Sequence, residues 1–248
     1  MSRQPTHLRL QLASPAQFTG ASAGGTDADT DVVTDEHGLP YYPRHRLAAR
    51  LREGAVTAIR AHGDRNLLRT AEELLGTTRG GHEATRALRI GHAHPALAVR
   101  AAVAAAQQRR EEEHPSDSKG ELRQREAART HLATAVTAAY AEEESGTQVD
   151  ELGTPISGRL RTHRALRPGL VLWAELSWGV EYREEYGRLL ALAALGTTAA
   201  GMRITRGRGR IDVRVAAPEE AEGTGADAAH HYTLRLAGIA ATTEGAWS

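Results

Sequence analysis

Tyr182 to Val215 reads YREEYGRLLALAALGTTAAGMRITRGRGRIDVRV, a stretch that holds a helix, a loop and a strand in succession. Tyr186, Leu189, Leu190, Ala193 and Ala194 recur at helical spacing, which predicts a helix over Tyr182 to Leu195 with Gly196 as its C-terminal cap. A strand is expected over Ile211 to Val215. Between them lies Gly201-Met202-Arg203-Ile204-Thr205-Arg206-Gly207-Arg208-Gly209-Arg210. Glycine lets the backbone turn sharply and approach a ligand closely. Arginine adds charge and planar donor forks that match phosphate oxygens. The loop is expected to hold a polyanion; an ordinary basic turn is the alternative.

Working outward, Leu8, Leu10 and Leu12 alternate with Arg9 and Gln11, the pattern of a half-buried strand. Phe18 to Gly25 is small, and Asp27 to Gly38 is an acidic loop. Pro40 to Pro43 forms a turn, and Leu47, Leu51, Ala55 and Ile59 predict a helix from Arg44 to His62. Gly76 to Gly81 is glycine-rich, Ala87 to Val99 is mixed, and Ala101 to Arg129 is polar and helical, interrupted at Pro115-Ser116-Asp117-Ser118. Residues 76–130 are expected to form an inserted helical lobe. Residues 134–160 carry Glu142-Glu143-Glu144 and several glycines, and are expected to form a protruding hairpin. Leu160 to Leu166, Pro168-Gly169 and Leu170 to Trp178 read as strand, turn, strand, and His231 to Ile239 as a last strand. Without the insertion, the order is β-α-β-β-α-β. This is an α+β, ferredoxin-like (RRM-like) core with a helical insertion and a protruding hairpin, in a single domain over 1–248.

The 31 basic residues are balanced by 31 acidic ones, so any surface for a polyanion must be local. Lys119 is the one lysine; every other basic residue among the 31 is arginine. The absence of cysteine excludes disulfides, thiolate zinc sites and thiol catalysis. No apolar run suggests a signal peptide or a membrane span, and a cytoplasmic protein without a membrane partner is expected.

Asp27, Asp29 and Asp31 project to one face if the segment is extended. A calcium loop of the EF-hand kind fails here, since Val32 occupies the required glycine position and Gly38 the closing glutamate position. A solvated acidic loop and a catalytic one both stay open. His92 and His94 have strand spacing, but no third ligand accompanies them or His114, so surface histidines are the simpler reading. Trp173 and Trp178 are expected to pack the sheet. One of Tyr41 and Tyr42 is expected in the core, the other being available to stack on a base.

Several segments together resemble the RAMP superfamily of CRISPR effector backbone proteins. Gly38-Leu39-Pro40-Tyr41-Tyr42-Pro43 resembles its G-x-P-Y-I-P segment. Leu88-Arg89-Ile90-Gly91-His92-Ala93 resembles its L-R-I-x-D-A segment, with His92 where aspartate is common. Gly158 to Gly169 is similar to a strand pair of the family, and Gly201 to Arg210 to its glycine-rich loop. Arg44-His45-Arg46 and Ala48-Ala49 depart from the family's small residues and Lys-Gly pair. Asp29-Thr30-Asp31-Val32-Val33-Thr34-Asp35 resembles the loop of the repeated type III (Csm/Cmr-like) subunit.

The resemblance implies a subunit that binds guide RNA through Arg44, Arg46, Arg50 and Arg52 of the first helix. It adds the loop residues Gly201, Arg203, Arg206, Gly207, Arg208, Gly209 and Arg210. It implies metal-dependent endonuclease (hydrolase) action on paired target RNA, with Asp29 as the catalytic residue and Mg2+ ligand. Partners would be guide RNA, complementary target RNA, other effector subunits and copies of itself. A non-catalytic structural paralogue is the alternative, and a guide-processing ribonuclease, for which His45 is the nearest candidate, is a more distant one.

Overall fold

The computed structural model describes residues 4–19, 31–63, 66–76, 87–113, 119–149 and 155–217. The elements are β1 (His7–Leu12), α1 (Arg44–His62), α2 (Asn66–Leu75), β2 (Leu88–His94), α3 (Leu97–Glu113), α4 (Lys119–Tyr140), β3 (Ala141–Val149), β4 (Pro155–Leu166), β5 (Val171–Trp178), α5 (Glu184–Gly196) and β6 (Ile211–Ala216). A 3-10 turn spans Ile204–Arg206.

One antiparallel sheet has the order β2-β5-β1-β6. With α1 and α5 it makes the ferredoxin-like β-α-β-β-α-β core, so the α+β reading holds. Leu8, Leu10, Leu12, Leu172, Ala174, Ile211, Val213 and Val215 are buried on its helix-covered face. The period-two alternation of these strands places every second residue there. The two core helices meet backbone to backbone. A Cβ on Gly54 of α1 would lie against the Ala193 carbonyl of α5, and one on Gly196 against the Gly54 carbonyl. Gly196 is therefore the last residue of α5 and a contact point, and Thr197 takes the cap position expected of it.

The core strands are not all those expected. Leu160 to Leu166 belongs to β4, which pairs only with β3 in a separate two-stranded ribbon. Its place in the sheet is taken by β2, inside the segment expected as a helical lobe. β2 hides its pattern because Gly91, His92 and a register shift between Ile90 and Ala93 break the alternation. Gly91 sits where a Cβ would be 3.3 Å from the Glu175 carbonyl oxygen. The Pro168-Gly169 turn does not close a β4–β5 hairpin. The Gly169 N–H bonds the Leu12 carbonyl at 2.7 Å, and Leu166 bridges Ala16. The acidic run Glu142 to Glu144 is the start of strand β3. Asn66–Leu75 is an additional amphipathic helix, burying Leu67, Leu74 and Leu75.

The helices α3 and α4 pack on the turn that follows the acidic segment. The Asp35 carboxylate accepts from His37 N–H and Leu39 N–H, both at 2.9 Å. Gly38 takes φ +79°, and a Cβ there would run into the Ala133 carbonyl of α4, so no side chain is permitted. Thr137 Oγ1 donates to the Gly38 carbonyl at 2.9 Å, and Arg129 pairs with Glu36 at 3.0 Å. The expected strand His231 to Ile239 lies outside the described residues.

Candidate nucleic-acid interface

The arginine-glycine loop is held by its backbone, which leaves its side chains to other work. Gly201, Gly207 and Gly209 have φ of +92°, +76° and +67°. Met202 N–H bonds the Gln17 carbonyl at 3.1 Å, Gly209 N–H bonds Pro15 at 2.8 Å, and Arg210 N–H bonds Ser14 Oγ at 2.9 Å. A Cβ on Gly201 would sit 2.6 Å from the Gln17 oxygen, so the close approach needs glycine. Arg203 is the one non-glycine residue with positive φ (59°) among those described. Arg206 and Arg210 are exposed.

Two of the first helix's four expected arginines lie near this loop, each linked to it through another residue, and two do not. Arg46 donates to the Thr19 carbonyl, and Thr19 Oγ1 contacts Met202 Sδ at 3.2 Å. The Tyr42 hydroxyl faces Arg50 and the Gly201 backbone, and burial, opposed by Arg50, pushes its pKa up. Arg50 also pairs with Glu53 at 2.7 Å. Arg46, Arg50 and the loop thus share one region. Arg52 instead donates from Nε to the Leu75 carbonyl at 3.0 Å. Arg44 stands beside His92, whose Nδ1 accepts its backbone N–H at 3.3 Å.

The structure adds a third component that the sequence reading lacked, the root of the β3–β4 ribbon. Glu144 and His163 face each other across the strands, as do Glu143 and Arg164. Arg208 pairs with Glu144, and His163 Nε2 lies 3.2 Å from both Glu144 Oε2 and Arg203 Nη1. A neutral imidazole nitrogen either donates to the carboxylate or accepts from the guanidinium, so these two bonds exclude each other. Burial, with Arg203 and Arg208 nearby, holds the His163 pKa below its usual value. Arg164 reaches Asp31 at 3.4 Å and Glu143 at 3.2 Å. In the sequence the cluster shows only as an acidic run, Glu142-Glu143-Glu144, and a basic one, His163, Arg164 and Arg167, with nothing local to pair them.

Asp29 and Asp27 lie outside the described residues. Asp31 accepts from the Val32 N–H at 2.8 Å and from Arg164, so its carboxylate is committed to the ribbon root. Among the described residues no group of three His, Asp or Glu could hold a metal ion. His92 and His94 form a ring cluster with Tyr41. Tyr41 stacks on His94 at 5.3 Å and meets His92 edge-on at 5.2 Å. Burial first, then nearby positive charge, lowers both histidine pKa values. Tyr42 is the core tyrosine, packed on Phe18 at 4.4 Å. Trp178 packs on Tyr182 and Tyr186. No helix among the described residues is long and apolar enough to cross a membrane.

Fold and site define a ferredoxin-like α+β domain in which a basic loop, a basic helix and a ribbon root converge. The chain is similar to one in the cryo-EM structure of the type III-B Cmr-beta bound to cognate target RNA, with TM-score 0.57 and 10% identity over 86% of this chain and 97% of that one. It is equally similar to one in the type III-B Cmr-beta apo-state structure, with TM-score 0.58 and 9% identity over the same shares. At such identity the likeness establishes the fold. No family model matches the sequence, and no curated protein is significantly similar to it.

Proposed function

We propose that this protein is a guide-RNA-binding backbone subunit of a type III CRISPR effector. The observation that carries the reading is the coverage of the structural likeness. The likeness to chains of type III-B Cmr-beta covers 86% of this chain and 97% of theirs. Arg203, Arg206, Arg208 and Arg210 would meet phosphates, with Arg46 and Arg50 beside them. The chain would assemble with other effector subunits and with copies of itself.

Target cutting is the finer part of the proposal and rests on the sequence resemblance at Asp29. Its carboxylate would orient the 2′-hydroxyl of a paired target nucleotide for in-line attack on the neighbouring phosphorus. The 2′-hydroxyl proton passes to the carboxylate as the 2′-oxygen–phosphorus bond forms and the bond to the 5′-oxygen breaks, and the leaving oxygen takes up a proton from water. The test is binding of labelled single-stranded RNA over a salt series. Exchange of Arg206 and Arg210 for glutamate should weaken binding and flatten its salt dependence by about 0.7 per lost phosphate contact. Unchanged affinity and slope would remove the loop from the interface.

A further inference from the structure

A second basic site lies away from the loop. An open cleft of about 240 Å³ separates the start of α1, the end of α2 and the edge strand β2. Arg44, His45 and Arg89 supply its polar wall, and Leu75, Leu88 and Ile90 its apolar side. Among the described residues, no aspartate or glutamate lines it.

This arrangement differs from the arginines elsewhere. Arg50, Arg125, Arg129, Arg164, Arg183 and Arg208 each lie against a carboxylate. Arg44, His45 and Arg89 have no acidic partner within ion-pair distance among the described residues. The Arg44 charge also stands where it opposes the fold. The first turn of α1 has no acidic residue and no side-chain cap, while the positive end of a helix favours anions. The His92 pKa is lowered by burial first and then by Arg44 and His45. Three such groups beside an apolar wall suit a ligand with an anionic end and a flat or apolar body. The volume lies below the roughly 300 Å³ at which drug-sized sites begin, so it admits one small unit and not a stack of several.

We propose that the cleft binds a single unpaired nucleotide of an RNA strand. Its phosphate sits against Arg44, His45 and Arg89, and its ribose and base lie over Leu75, Leu88 and Ile90. This rests on the RNA-binding reading above and adds a subsite separate from the arginine-glycine loop.

The test is fluorescence anisotropy of labelled single-stranded RNA on the full chain, in a salt series, with two variants. Arg89→Glu reverses an exposed charge and leaves the packing alone. Ala48→Phe fills the cleft from α1 without touching a charge. The inference predicts about tenfold weaker binding for Arg89→Glu, with a slope flatter by about 0.7. It predicts severalfold weaker binding for Ala48→Phe with the slope unchanged, and circular dichroism melts of both near the wild type. An abasic RNA strand should lose its sensitivity to Ala48→Phe and keep its sensitivity to Arg89→Glu. Wild-type binding that both variants leave intact overturns the cleft alone. A wild-type chain that binds no RNA overturns the RNA-binding reading itself.

Discussion

Arg203 offers a test in which stability and function move apart. Its φ of 59° is left-handed, a conformation costing a residue with a Cβ roughly 1–2 kcal/mol and glycine almost nothing. Its guanidinium bonds His163 at 3.2 Å, a contact contributing about 0.5–1.5 kcal/mol. Arg203→Ala keeps the backbone strain and loses the bond, so it should be less stable than wild type by about 1 kcal/mol. Arg203→Gly loses the same bond but relieves the strain, so it should fall within about half a kcal/mol of wild type. The gap between the two variants, about 1 kcal/mol, isolates the strain. In a domain of this size that is about 2–4 °C in Tm, measurable by thermal or urea unfolding. Both variants should bind RNA equally weakly, since both lack the guanidinium. Equal stability of the alanine and glycine variants would show that residue 203 is not held left-handed. Wild-type RNA affinity in the glycine variant would show that the strain serves no phosphate contact.

His163 should make stability depend on pH. Its folded pKa lies below the unfolded value near 6.5, so its contribution is present above that value and is lost as pH falls through the folded pKa. The groups facing it are Glu144, Arg203 and Arg208, and acidification from pH 7.5 to 5 should cost wild type more stability than His163→Gln; parallel curves would refute this. Gly54→Ala drives a Cβ into the α5 backbone, 3.0 Å from the Gly196 carbonyl carbon, and should cost about 1–3 kcal/mol by urea denaturation. A cost under half a kcal/mol would mean that the helices separate easily. Asp29→Ala should leave guide and target binding intact and abolish Mg2+-dependent cutting of a labelled complementary RNA by the assembled effector; undiminished cutting would favour the structural paralogue.

The core was legible wherever burial imposed a clean period. Leu8 to Leu12, Leu47 to Ile59 and Tyr186 to Ala194 each announced the face they bury. β2 was not, because a sheet-edge strand with a bulge at Gly91 and His92 carries no alternation to read. Leu160 to Leu166 was legible as a strand but not in its pairing, which depends on the distant Glu142 to Glu144 run and on the bridge from Leu166 to Ala16. The loop's glycines and arginines could be read locally, because a positive φ needs glycine and arginine stays at the surface. The ribbon-root cluster could not, since Asp31, Glu143 and Glu144, His163 and Arg164, and Arg203 and Arg208 are brought together from four separate segments. Four arginines of one helix looked equivalent in sequence, yet the fold places Arg46 and Arg50 against Thr19 and Tyr42, which border the loop, and Arg44 and Arg52 elsewhere.

The most direct measurement is of the RNA that the protein carries when purified from cells expressing a CRISPR array and the accompanying effector subunits. Extracted, end-labelled and sequenced, that RNA should have a defined length and a constant repeat-derived end, and Arg206→Glu with Arg210→Glu should strip it away. A preparation free of RNA, or carrying only host RNA of mixed length and ends, would contradict the account.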